Sequence, residues 1–387
     1  MGDVAQSDDG VNPDASANTV ALVKLVTEIG PGIAEISRRL GQFKESVRYR
    51  YKEKIVKRGF AIKAEPDYSA LGLRRIVMKL SVSDEYATRA SKVFEAMGDL
   101  SFLVAYAGTM PNGIFLAQAA VPVEFTAKFH YFMGSLRDKG VFASVELFDC
   151  DVHRVAPMRA ECFDFDDGVW DFDWSNPPPL DERAARGTVS ERKRVDKVDL
   201  LILKELSKDG DRSLMQVQTA IKQINGVDIN YKTLGWHYAH HVLNQRLVTH
   251  YTIGWHHLNY DFERERDVGF ARYDYLGVAL LVRDVNGQER MVLRDQMSRL
   301  PFLWSEAVGG TYFSQLFIPL NMANEALEHL KKVLKPFGTR AEVFLLDKRE
   351  MKYFTICYKQ WDEPKDCWAF STAQLLRLLE ESVLKVG

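Results

Sequence analysis

The 387-residue chain is poor in the features that mark secreted proteins, membrane proteins and most enzymes. Four cysteines, Cys150, Cys162, Cys357 and Cys367, are too few for a disulfide scaffold of this size. None stands in a C-x-x-C pair, the spacing of zinc ribbons and redox centres. Mean hydropathy is -0.22, and no apolar run approaches the ~20 residues that a bilayer crossing needs. The opening MGDVAQSDDGVNPDASAN lacks a cationic start, an apolar segment and a small-residue cleavage site. It reads as a disordered tail over residues 1–19, and the chain as cytoplasmic with no membrane partner. There is no Gly-rich phosphate loop, no G-x-S-x-G elbow and no close carboxylate pair with a defined partner. The glycine pair of AVGGTY (307–312) reads as a β-turn. These absences supply no catalytic residue, no metal ligand and no cofactor, so a non-enzyme is expected. The formal net charge of -2 decides little, because binding depends on where charge lies.

What the chain does have is two copies of one pattern. An apolar helix begins near residue 22 (VALVKLVTEIG) and another near 198 (VDLLILKELSKDG). Each is followed by a short amphipathic helix and then a longer one, ending in VKRGFAIKAEPDY and LNQRLVTHYTIGW. Downstream, GIFLAQAAVPVEF matches TYFSQLFIPLNMA, with Pro122 against Pro319, Val145 against Val343 and Asp149 against Asp347. Alternation at Ile76, Met78 and Leu80 predicts strand, and the spacing of Val93, Phe94 and Met97 and of Phe125, Phe129, Phe132 and Leu136 predicts helix. The expected fold is α+β: two copies of a winged helix-turn-helix followed by a ferredoxin-like βαββαβ sandwich. The expected divisions are a first head at 20–66, a first βαββαβ unit at 67–150 and an aromatic, acidic extension at 151–177. A proline-led linker follows at 178–197, then a second head at 198–254, a hinge with the second βαββαβ unit at 255–347, and an extension with a C-terminal helix at 348–387. The extensions read as straps that pack Trp170, Trp174, Trp361 and Trp368 on the sheets. The alternative makes the five aspartates between 164 and 173 a cation site or an occluding phosphate mimic.

The segment 32–60 concentrates cations in a nearly neutral chain. Gly41 marks a tight turn, and a third helix runs from about Lys44 to Arg58 with Val47, Tyr51 and Ile55 inward and Phe43 continuing that stripe. The outer face carries Lys44, Glu45, Arg48, Tyr49 and Lys52, with Lys57, Arg58 and the wing residue Lys63 at the flank. Arginine can pair with a guanine edge in the major groove while lysine and tyrosine meet phosphates or bases. The bland alternative is a solvated cationic face. In the second head Leu234, Tyr238 and Val242 point inward, and Lys232, Thr233, Trp236 and His240 point outward. That helix is less cationic and also fits a purely structural copy. His237 and His241 stand one turn apart, a zinc-pair spacing, but no H-E-x-x-H pattern or neighbouring cysteine joins them, and polar decoration is the expectation.

Helix order and these phrases resemble the leucine-responsive regulators, the Lrp/AsnC family, over nearly the whole chain, twice. The resemblance implies a transcription regulator that binds double-stranded DNA through its third helices, as a homodimer open to a small-molecule effector. The family's acidic effector turn matches GTMPNG (108–113) and GGTYF (309–313), and neither carries the acidic residues. Siroheme decarboxylases share this duplicated fold and are the alternative. Their phrase R-I-G-A-V-P-N-H-Y has a faint echo in AIKAEPDY and THYTIGWHH, and their C-Y-x-R-P phrase has none. A metabolite sensor or scaffold without DNA contact is a third class that the duplicated fold admits.

Overall fold

A computed structural model describes residues 13–111, 113–177, 190–255 and 275–384. Residues 1–12 of the expected tail, most of the linker and most of the hinge lie outside them. The rest of the tail, from Pro13, belongs to the first helix rather than to a disordered segment.

Helices α1 (Pro13–Ile29), α2 (Ile33–Leu40) and α3 (Lys44–Tyr51) form the first head. Gly41 ends α2 at φ 64, a left-handed conformation that glycine adopts without Cβ strain. One π-helical turn, Lys52–Val56, extends α3. Val47, Tyr51 and Ile55 are buried as the spacing requires, whereas Phe43 is 86% exposed and does not extend the stripe. Strand β1 (Ala61–Pro66) leaves the head, followed by β2 (Leu73–Val82), α4 (Ala90–Leu100), β3 (Leu103–Met110), β4 (Ile114–Pro122), α5 (Thr126–Asp138) and β5 (Phe142–Val155). The hairpin β6 (Phe163–Asp164) and β7 (Val169–Trp170) follows.

The second copy repeats the order. Its head is α6 (Lys197–Lys208), α7 (Leu214–Asn225) and α8 (Tyr231–His237), the last again extended by a π turn, Tyr238–Leu243. Then come β8 (Val248–Gly254), β9 (Tyr275–Val282), α9 (Gly287–Ser298), β10 (Leu303–Gly309), β11 (Tyr312–Pro319), α10 (Ala323–Leu334) and β12 (Ala341–Tyr353). A hairpin β13 (Trp361–Asp362) and β14 (Cys367–Trp368) precedes α11 (Thr372–Leu379).

The described heads share a two-stranded wing to which each contributes one strand. β1 and β8 pair with each other, antiparallel, with Lys63 opposite Thr252 and Glu65 opposite His250. The two four-stranded sheets likewise join, β5 to β10 and β12 to β3, into one closed barrel of order β10-β11-β9-β12-β3-β4-β2-β5. Closure explains why β2 and β11 are buried on both faces, one toward the barrel interior and one toward helices. The equivalent residues Gln118 and Gln315 hydrogen-bond at 3.3 Å across the barrel interior. Val77 pairs with Phe148 and Ala279 with Phe344, so the ladders match Phe148 to Phe344 and displace the expected Val145–Val343 register by two residues. An irregularity in β12 between Asp347 and Met351 absorbs the difference.

The straps cross over. Trp368 is buried against Phe102 of the first copy and its indole donates to the Leu71 carbonyl at 2.9 Å. Phe370 stacks among Phe102, Phe125, Phe129 and Phe132. In return Trp174 packs on Phe302 of the second copy. The aspartates of the first strap hold its turns: Asp164 accepts from the Asp166 and Asp167 amides, and Asp166 pairs with Lys54. Trp368→Ala therefore removes a cross-copy anchor and its hydrogen bond. It should cost about 3–5 kcal/mol of stability, read as a lowered urea midpoint by far-UV circular dichroism.

Candidate functional site

A cavity of about 900 Å³ opens where the first head, the β1–β8 ribbon and the end of the barrel meet. That lies near the top of the roughly 300–1,000 Å³ usual for small-molecule sites. Five arginines line it: Arg74 and Arg75 from the start of β2, Arg154 from the end of β5, Arg159 just beyond, and Arg192 from the segment entering the second copy. Glu65 of β1, Tyr68 and His250 of β8 complete its inner wall.

The ladder explains the convergence. β5 outlasts its ladder with β2, pairs on with β10, and so carries His153 and Arg154 beyond the end of that ladder. Arg75, opposite Cys150, is buried at that end. Its guanidinium lies 4.3 Å over the Tyr68 ring, and its Nη2 donates to His153 Nδ1 at 3.2 Å. A guanidinium only donates, so His153 accepts at Nδ1 and carries its proton on Nε2. Burial, reinforced by Arg75 and His250, holds His153 well below the ordinary imidazole range. Burial also pushes Tyr68 up to about 12, with Arg75 opposing. Glu65 rises to about 7 by burial against the pull of Arg75 and Lys63. His250 is pushed down to about 4 by burial, the Val155 backbone opposing.

The other cations around the cavity have partners. Arg74 meets Asp151 at 3.3 Å, Arg192 meets Glu124 at 3.4 Å and Lys24 meets Glu161 at 3.4 Å. Arg154 is tied deeper, to the fully buried Glu306 at 2.7 Å, which Arg294 and the Tyr312 hydroxyl also hold. Arg75 differs: it forms no ion pair with a described residue, and its Nε is buried without a hydrogen-bond partner. A buried guanidinium in that state leaves positive charge on the cavity wall that no described carboxylate pairs.

Among the described residues the corresponding place in the second copy is lined differently. In its register Arg75 becomes Gly277, His153 becomes Met351, Val104 becomes Trp304 and Val155 becomes Tyr353. Trp304, Tyr353 and Phe354 line only a small pocket of about 150 Å³, with Lys63 and Thr252 on its wall.

The residues expected to read DNA do not gather at this cavity. Lys44, Glu45, Arg48, Tyr49, Lys52 and Lys57 lie exposed on the third helix of the first head, and Arg58 is half-buried there. Much of its charge is met locally. Arg48 pairs with Glu45 at 3.4 Å, Lys57 with Glu53 at 2.6 Å, and the strap residue Asp166 takes Lys54 and, through its carbonyl, Arg58. Lys63 faces the small pocket, and burial lowers its pKa. Lys232, Thr233, Trp236 and His240 are exposed on the second head. Arg75, Tyr68, Glu65, His153 and His250 were not singled out as site residues from the sequence. The adjacent arginines opening β2 and the charged DVHRV closing β5 were the available signals.

No family model and no curated protein sequence matches the chain. Among solved structures, the siroheme decarboxylase NirDL matches at TM-score 0.50 and 8% identity, over 94% of this chain and 98% of that one. NirDL in complex with an iron-uroporphyrin III analogue matches at 0.53 and 8%, over 95% and 99%. AsnC of E. coli, at 12% identity and TM-score 0.27, covers 34% of this chain and 88% of that one. The whole duplicated architecture is thus like that of NirDL, an Lrp/AsnC-like fold. This corrects the expectation of a non-enzymatic, double-stranded-DNA-binding transcription regulator: the full-length likeness is to an enzyme. No helix is long and apolar enough to cross a membrane among the described residues.

Glu65 gives the site a pH signature. Its folded pKa of about 7 exceeds the unfolded value near 4.5, so the fold binds its proton more tightly than the unfolded chain. The stability this contributes is full below about 4.5 and is lost as pH rises through about 7. Glu65→Gln should flatten the fall in urea midpoint across that window, measured against the native chain in the same buffers.

Proposed function

We propose that the cavity binds a polycarboxylated tetrapyrrole and that the chain decarboxylates its side chains, in the manner of siroheme decarboxylases. One observation carries this reading: Arg75, a buried guanidinium without an ion-paired acid among the described residues, lies on the inner wall of a tetrapyrrole-scale cavity ringed by further arginines. A macrocycle bearing several carboxylates meets that pattern at many points. The peripheral pairs Arg74–Asp151, Arg192–Glu124 and Lys24–Glu161 are solvent-exposed and individually weak. Each can exchange its carboxylate for one from the substrate at small cost, whereas Arg75 gains a partner outright.

Arg75 orients one substrate carboxylate by charge-assisted hydrogen bonds. Loss of carbon dioxide breaks the bond between the carboxyl carbon and the carbon that bears it. The electron pair stays on that carbon, which takes one proton, so no electrons are gained or lost overall. Tyr68, still carrying its phenolic proton at neutral pH, stands against Arg75 as the proton source. Aligned on the proline, Tyr68 occupies the place of histidine in the decarboxylase phrase P-N-H. Neutral Glu65 avoids repelling the substrate's carboxylates, so affinity should fall as pH rises through about 7.

The test is titration with iron-uroporphyrin III and turnover of siroheme, followed by absorbance and by product mass. Arg75→Ala should weaken binding about 10- to 100-fold, the loss of a buried charge-assisted contact. Tyr68→Phe should bind normally and release carbon dioxide far more slowly. Failure of the native chain to bind either tetrapyrrole would refute the reading.

A further inference from the structure

The second head holds a cluster that the tetrapyrrole cavity does not use. His237 and His241, one turn apart on the third helix, both turn Nδ1 toward Asp199 at the start of α6. His237 Nδ1 lies 2.9 Å from Asp199 Oδ1, and His241 Nδ1 lies 2.8 Å from Asp199 Oδ2. Asp196, the N-cap of α6, spends Oδ1 on the cap amides of Val198 and Asp199 and faces Oδ2 to His237 at 3.6 Å. One donor atom from each of the four residues lies within 4.8 Å of the others.

We propose that this Asp196–Asp199–His237–His241 cluster is a binding site for a divalent transition-metal ion of the zinc type. Charge supports it first. Asp199 is fully buried, and neither carboxylate has a lysine or arginine within ion-pair distance among the described residues. Buried negative charge of this kind calls for a counter-ion, and a divalent cation supplies it. Donor chemistry supports it second. Two imidazoles and two carboxylates in tetrahedral reach suit zinc and its neighbours, and Trp236, 4.8 Å from the His241 ring, shields one side. Binding moves each imidazole proton from Nδ1 to Nε2 and puts both Nδ1 lone pairs on the ion.

The duplication provides an internal control. In register, the first head has Ser16, Thr19, Arg50 and Lys54 where the second has these four. It builds the same three helices with the same buried stripe. The two aspartates also cap α6, Asp199 Oδ2 accepting the Asp196 amide at 3.0 Å, so it is the pair of histidines facing them, which the first head builds without, that calls for another role. A bound ion would clamp the third helix to the start of α6, a few residues after the cavity residue Arg192.

The experiment uses the full chain with its affinity tag removed, stripped by chelator and titrated with Co²⁺ and then Zn²⁺. One equivalent should bind, with the intense visible absorption of four-coordinate Co²⁺ bleached by Zn²⁺. His237→Gln with His241→Gln should weaken binding by more than the roughly 10–100-fold that loss of an outer-shell partner costs. Asp196→Asn leaves the Asp199–histidine bonds in place and should also weaken it, which decides the matter if the double variant fails to fold. Absence of a stoichiometric site in the folded native chain would overturn the proposal. So would unchanged affinity in a folded variant, because the ion would then sit elsewhere.

Discussion

Antiparallel pairing between the two copies is the constraint on which the rest of the molecule depends. Each four-stranded sheet alone would leave two open edges and one uncovered apolar face. Joining β5 to β10 and β12 to β3 removes both edges and buries both faces at once. The β1–β8 ribbon repeats the same solution between the heads. Because β5 must run long enough to reach β10, it carries polar residues beyond β2, and that overrun forms one wall of the large cavity. The crossed straps then lock the arrangement, each anchoring its tryptophan on the opposite copy. The cavity is accordingly a product of both copies, with His250 of the second facing Glu65 of the first.

Symmetry in the backbone is not symmetry in the chemistry. One place combines Arg75, His153, Val104 and Val155; its counterpart has Gly277, Met351, Trp304 and Tyr353. At Gly277 a Cβ would stand 3.0 Å from Leu346, so a larger side chain there requires Leu346 to shift. Trp304 and Tyr353 fill the space that small residues leave open in the first copy. The two positions that the fold offers are thus chemically different among the described residues. The heads diverge in the opposite sense, the second holding the buried histidine–aspartate cluster that the first lacks.

Much of this architecture was legible in the residues. The repeated helix phrases and the matched Pro122 and Pro319 disclosed the duplication, and the stripe Val47–Tyr51–Ile55 gave the inner face of a helix correctly. Local periodicity reports local structure, so Phe43, just outside the helix, escaped it. The pairing of β1 with β8 and the crossing of the straps escaped it too, because they join residues far apart in the chain. The site was hidden for the same reason: Glu65, Arg75, His153 and His250 come from four separate segments. In sequence, exposed arginine and lysine look alike whether they pair with an acid, as Arg48, Lys57 and Lys54 do with Glu45, Glu53 and Asp166, or stand apart from one. The His237–His241 spacing was visible, but without Asp199, thirty-eight residues away, it looked like surface decoration.

The cavity's charges fall into two kinds, and the distinction bears on selectivity. Peripheral cations are already neutralised by exposed acids, and swapping one carboxylate for another there changes the energy little. A ligand with a single carboxylate gains most from Arg75 alone and leaves the rim unchanged. A macrocycle with acids around its edge engages Arg75 and several rim arginines together, paying its orientational cost once for many contacts. Arg154, bound to buried Glu306, is held in place rather than free to follow a ligand, which fixes the spacing between two cationic points. On the proposed reading, preference for a rigid polycarboxylate over a small acid follows from where the barrel sets these charges.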